Sequence, residues 1–194
     1  MINCWHRILI PVNTMKILFH ILIMILLAVL VMLFIYPALH EAAHALTAIF
    51  CDAEVVDVQV FPTAHTDIIA EHYNRIEMIL MTMSGGVVPL LVLFCLPQGT
   101  YYIYYIKLVV ALISASGAVI SLIYVFLHLK GIDNMYDDAV RLLIYYPDTE
   151  LIVLIILVVQ ISVSLLYCFL TKPLTRMTVI LKKSAVEWTA DFFV

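Results

Sequence analysis

The sequence predicts an all-α polytopic membrane protein of about four transmembrane helices, with a short β-hairpin between the first and second. Three observations predict it. The chain has 194 residues, 65% of them hydrophobic and 12% charged, with a mean hydropathy of +1.11, whereas a soluble domain is nearer half apolar and a quarter charged. Several uncharged runs are long enough to cross a hydrocarbon layer about 30 Å thick at 1.5 Å per helical residue. Between the first two runs lies the most polar stretch, Asp52 to Arg75, where Glu54-Val55-Val56-Asp57-Val58-Gln59-Val60-Phe61 partly alternates with β-branched residues, as a strand or hairpin does.

The first span is Ile17 to Tyr36, and its hydrophobicity continues past Pro37 toward Phe50. As one helix to Phe50 it would be roughly 50 Å long, so tilt, a kink near Pro37 or protrusion is expected. Arg7 and Lys16 precede it as they would in a signal peptide, but the run is long and lacks a small-x-small cleavage site, which favours an uncleaved helix. Ile76 to Leu96 is the second span; its Ser84-Gly85-Gly86 lets a neighbouring backbone approach closely. Pro97-Gln98-Gly99 makes a turn. Tyr101 to Leu129 is the third span, tyrosine-rich at its start as at a membrane interface, with Ser114, Ser116, Gly117 and Ser121 as a packing face. Gly131 to Glu150 reads as an acidic loop, 151-170 as the fourth span and 171-194 as a basic tail. The whole, 1-194, is expected to be a single membrane-embedded domain with its core at about 17-143.

Charge and cysteine usage exclude several function classes. A net charge of −4 without a clustered basic face argues against a nucleic-acid partner. Cys4, Cys51, Cys95 and Cys168 show no C-x-x-C spacing, so they indicate neither a thiolate metal site nor a disulfide framework.

The chemistry is carried by His40-Glu41-Ala42-Ala43-His44. Residues four apart on a helix are separated by about 400° of rotation, so His40 and His44 stand one above the other and can offer imidazole nitrogens to one Zn²⁺. Glu41 lies beside the first, where its carboxylate can take a proton from a water on the metal and pass it to a leaving amine. Chance alone would give this pattern in roughly one sequence in a hundred of this composition. Ionisable groups in an apolar helix are costly, and three within five residues need a partner such as a metal.

A catalytic zinc has three protein ligands and one open position, so a third ligand must come from elsewhere. If the spans alternate, the end of the first and the end of the third face the same side, which brings His128, Asp133, Asp137 and Asp138 within reach. Asp133 is favoured because it follows Gly131, where a short turn directs a carboxylate inward; Asp138 is the close competitor. His128 reads as an interfacial residue and His65 and His72 as loop residues, while His20 lies about 30 Å of helix from His40.

At these residues the sequence resembles the site-2 protease family of intramembrane zinc metalloproteases. An apolar span runs into His40-Glu41-Ala42-Ala43-His44-Ala45-Leu46, a β-like segment ends in Phe61-Pro62, and then comes a helix with Ser84-Gly85-Gly86-Val87-Val88-Pro89, where the family has a small-residue Gly-Pro motif. The likeness covers roughly Ile17 to Leu143. It implies that an aspartate after the third core helix completes the zinc site; where the family has Asp-Gly, this chain has Asp133-Asn134 and Asp138-Ala139. It implies a minimal core without a PDZ or CBS domain, and a membrane-anchored protein as substrate, cut in or near its transmembrane helix, with the hairpin able to pair with an unwound substrate strand.

The expected activity is that of a zinc-dependent endopeptidase within or beside the lipid bilayer, with Glu41 as general base and His40, His44 and Asp133 as metal ligands. The competing expectation is a non-catalytic zinc-binding membrane protein, either an inactive protease relative or a transporter subunit. A transporter would more naturally carry acids and histidines on several spans, and the spans here are otherwise almost bare of them. Basic residues at both ends favour both termini inside, which puts the metal nearer the outer face, while the resemblance suggests the cytosolic side.

Overall fold

A computed structural model describes residues 12–69, 74–97, 100–132, 137–172 and 175–179 of the chain. The first apolar run forms α1 (Val12–Leu30), a π-helical turn (Val31–Ile35) and α2 (Tyr36–Phe50) as one continuous rod. Pro37 explains the irregular turn. Its ring displaces the carbonyl four residues back, that of Leu33, and the ladder widens there, so that the Tyr36 N–H bonds to the Val31 carbonyl. The expected break near Pro37 therefore takes the form of a π turn just before it.

An antiparallel hairpin follows, β1 (Glu54–Gln59) and β2 (His65–Ile69), with Glu54 opposite Ile69, Gln59 opposite His65 and a bulge between Val55 and Asp57. The second span is α3 (Arg75–Cys95), opened by a capping box in which Asn74 accepts from Ile76 and Glu77 while Glu77 accepts from the Asn74 N–H. The third is α4 (Tyr101–His128), capped by Thr100. Near its start the buried Lys107 donates to the Leu96 carbonyl at 2.5 Å, so its charge caps the C-terminal end of α3. The supposed acidic loop contains a helix, α5 (Asp138–Tyr145), and the fourth span is α6 (Glu150–Thr171). Four helices are thus long and apolar enough to cross a membrane. Their outward faces carry large apolar side chains such as Phe19, Ile25, Leu91, Ile123 and Phe169, a surface suited to hydrocarbon.

Two buried clusters hold the helices together. One gathers Met83, Ala118, Val125, Val140, Leu142, Leu143, Val153 and Leu157 from α3 to α6; the other gathers Val31, Leu93, Val110, Ala111 and Tyr167. A buried polar layer also links α6 to α4: the Gln160 amide donates to the Ser114 carbonyl at 3.2 Å and to its hydroxyl at 3.1 Å. That amide packs so closely on Gly86 that a Cβ there would lie 2.7 Å from Gln160 Oε1. The packing face expected on α4 is narrower than its sequence suggested. Ser114 is buried and Ser121 turns toward α5, but Ser116 and Gly117 are exposed.

The end of α2, the start of α3, the end of α4 and the start of α6 are connected by the hairpin and by α5, so all lie at one end of the bundle. His40 and His44 are ten and six residues from the end of α2, roughly 9–15 Å of helix inside that end. The same-side argument made from alternating spans therefore holds.

Candidate metal centre

His40, Glu41 and His44 are presented by the middle turns of α2, whose opposite side is apolar. The helical spacing works as expected: the two imidazoles meet edge to face, with Nε2 atoms 3.1 Å apart. Asp138 completes a triangle, its Oδ2 lying 3.2 Å from each Nε2. These three ligand atoms lie within 4.8 Å of one another, as a metal-binding group requires. A tetrahedral ion with bonds of about 2.0–2.1 Å would space its ligand atoms about 3.3 Å apart, close to the observed triangle.

Asp138 is held there by α5. Asp137 caps that helix, accepting from the Val140 N–H at 3.1 Å and from the Ser121 hydroxyl of α4 at 2.7 Å. Ala139, Val140, Leu142 and Leu143 fix the other face in the core. Asp133, the favoured third ligand from the sequence, lies outside the described residues, as does His72. The carboxylate brought to the histidine pair is that of its competitor, Asp138. Asp137 serves as a cap, while His65 pairs with Asp57 on the hairpin at 3.8 Å and His128 ends α4; none of the three belongs to the group. His20 lies far back on α1.

The proton arrangement bears on what can occupy the centre. The Met81 carbonyl, only an acceptor, sits 2.6 Å from His44 Nδ1, so Nδ1 carries a proton and donates it. In neutral His44 the Nε2 lone pair then faces Asp138 Oδ2 at 3.2 Å. Burial works to raise the Asp138 carboxyl, but hydrogen bonding and charge from His40 and His44 outweigh it and hold it well below the usual carboxylate range. Two acceptors at that distance need a proton or a metal ion between them. The Met81 carbonyl, accepting from Nδ1–H, orients the ring as the outer partner of a metal-bound histidine does. Two imidazoles and a carboxylate, with the open side toward a cleft, are a donor set that suits Zn²⁺.

The small residues of α3 make room for the pair. A Cβ on Gly85 would lie 2.4 Å from His44 Nε2 and 2.6 Å from His40 Cε1. Pro89, four residues on, lacks the N–H that would bond the Gly85 carbonyl, so the helix ladder is interrupted at this approach. Gly85→Ala is expected to push the rings apart and to destabilise the protein by about 1–3 kcal/mol, measured by thermal unfolding in detergent. Gly117→Ala is the control, because nothing lies within 4 Å of its added methyl. Equal effects at the two glycines would refute this account of Gly85.

Glu41 is buried, yet stands apart from the triangle. Its Oε2 accepts from the Thr66 hydroxyl at 2.8 Å, so β2 of the hairpin steadies it. Thr66 carries no sequence signal of this role, since only the fold brings the hairpin back over α2. A cleft of about 900 Å³ opens on these groups, lined on one side by hairpin residues and on the other by α3 and α5. Its size is that of a site for a small molecule or a short peptide. Compared with protein-family models, curated proteins and solved structures, the chain matches none.

Proposed function

We propose that this chain is an integral, multi-pass membrane zinc endopeptidase that hydrolyses peptide bonds of membrane-anchored proteins in or near the bilayer, as its resemblance to the site-2 proteases suggests. The observation that carries the reading is the triangle of His40 Nε2, His44 Nε2 and Asp138 Oδ2, 3.1–3.2 Å on each side, with Glu41 alongside. His40, His44 and Asp138 would hold the ion. When bound, zinc supplies a Lewis acid and lowers the pKa of a coordinated water toward neutrality.

The remaining work belongs to the chain's own residues. Glu41, adjacent to His40 but turned about 100° around the helix, accepts the proton of the attacking water and delivers it to the leaving amine. The Thr66 hydroxyl fixes the carboxylate that makes both transfers. The flanking hairpin edge offers backbone groups to an extended substrate, which must be unwound from a helix before its peptide bond is accessible.

Metal analysis of the detergent-purified protein, paired with cleavage of a panel of membrane-anchored peptides, tests the reading. One zinc per chain and specific cleavage are expected. A chain that holds zinc yet cleaves none of them would be the non-catalytic zinc-binding protein instead. Thr66→Val should keep the zinc and slow cleavage about tenfold, because it removes one hydrogen bond to a charged group. An unchanged rate would remove Thr66 from the mechanism.

A further inference from the structure

Helix α5 presents two faces. Ala139, Val140, Leu142 and Leu143 are buried in the core, while Asp138, Arg141 and Tyr145, at spacings of three and four, line the cleft. Arg141 is the one Lys or Arg among the described residues that line it. Among the described residues its guanidinium forms no ion pair, although Glu41, Asp67 and Asp138 line the same cleft. Each of the two nearest the metal group is engaged elsewhere: Asp138 with the histidines, Glu41 with Thr66. Arg141 is exposed at the cleft, so its N–H donors are open to a group that enters it.

Resting on the zinc-peptidase reading, we propose that Arg141 is a specificity residue that binds a carboxylate of the substrate, one or two residues from the bond that is cut. The planar fork of a guanidinium matches a carboxylate with two parallel hydrogen bonds. Residues three apart on a helix have Cβ atoms about 5–6 Å apart, so the Arg141 side chain springs from the same face of α5 as the ligand Asp138 and reaches into the same cleft. An extended substrate advances about 3.3 Å per residue, which sets the anionic group one or two positions from the metal. With a divalent ion bound, the three cleft carboxylates are balanced by that ion and Arg141, so an entering anion meets no net repulsion. The carboxylate can come from an acidic side chain or from a chain terminus.

The experiment uses the full chain, zinc-loaded, in its Glu41→Gln form so that binding is read without turnover. The probes are fluorescent peptides copying the end of a transmembrane helix, with each position in turn Glu or Gln and the terminus a free acid or an amide. At one position Glu should bind about tenfold more tightly than Gln, or the free acid more tightly than the amide, which identifies the source of the carboxylate. Adding Arg141→Ala should abolish that ratio with zinc content unchanged, Arg141→Lys should keep part of it, and Arg141→Glu should favour Lys at the same position. Ratios near one throughout, a ratio that survives Arg141→Ala, or no binding of any peptide would overturn the proposal. A ratio that depends on Arg141 in a protein that never cleaves would instead overturn the peptidase reading and leave the carboxylate site standing.

Discussion

Glu41→Gln is expected to keep the metal and to lose hydrolysis by roughly 10²- to 10⁴-fold, the usual contribution of a general base. The substitution is nearly isosteric and its amide oxygen can still accept from Thr66, so neither the fold nor the hairpin contact should suffer. It removes only the capacity to take up a proton. Because the carboxylate lies outside the triangle of His40, His44 and Asp138, metal content should be unchanged. Zinc analysis and single-turnover cleavage of one peptide, measured on the same preparations, check both halves. Cleavage at the wild-type rate would sink the mechanism; loss of zinc would instead place Glu41 among the ligands.

The parts of this architecture that were legible in the sequence are those set by local physics. Hydropathy placed the four apolar helices, because a run of twenty apolar residues has few other fates. The β-branched alternation of Glu54 to Phe61 marked the first hairpin strand, and Pro37 marked the irregular turn that precedes it. The pairing of His40 with His44 followed from helical rotation alone. What was missed depended on longer-range placement. Helix α5 is only eight residues long, so its apolar period was too short to stand out from a loop, although Asp137 followed by Ala139-Val140 and Leu142-Leu143 is a capped amphipathic turn. The preference for Asp133 rests on the flexibility of Gly131, and Asp133 lies outside the described residues; among those described, the rigidity of a helix packed in the core holds Asp138 at the histidines. From the sequence, Gly85 suits close helix packing in general. Its neighbours are in fact the two imidazole rings, a contact that no pattern within α3 could reveal.

Asp138→Ala is expected to weaken zinc binding by at least about 100-fold, more than the loss of an outer partner of a ligand costs. Asp133→Ala is expected to leave it close to wild type. Asp138 Oδ2 is the third corner of the triangle, and its removal leaves two imidazoles, too few protein ligands for a catalytic zinc. The helix that carries it should survive, because Asp137 remains as its cap and Val140, Leu142 and Leu143 remain in the core. Helicity by circular dichroism verifies that point before metal content is measured by competition against a chelator. Asp138→Asn refines the test: it preserves size and one carbonyl oxygen but not the charge, so its affinity should fall between those of Asp138→Ala and the native protein. If Asp133→Ala strips the metal while Asp138→Ala retains it, the third ligand is Asp133. The Asp138 carboxylate would then be a hydrogen-bond acceptor for a protonated histidine pair, the other cation that its position beside His44 Nε2 allows.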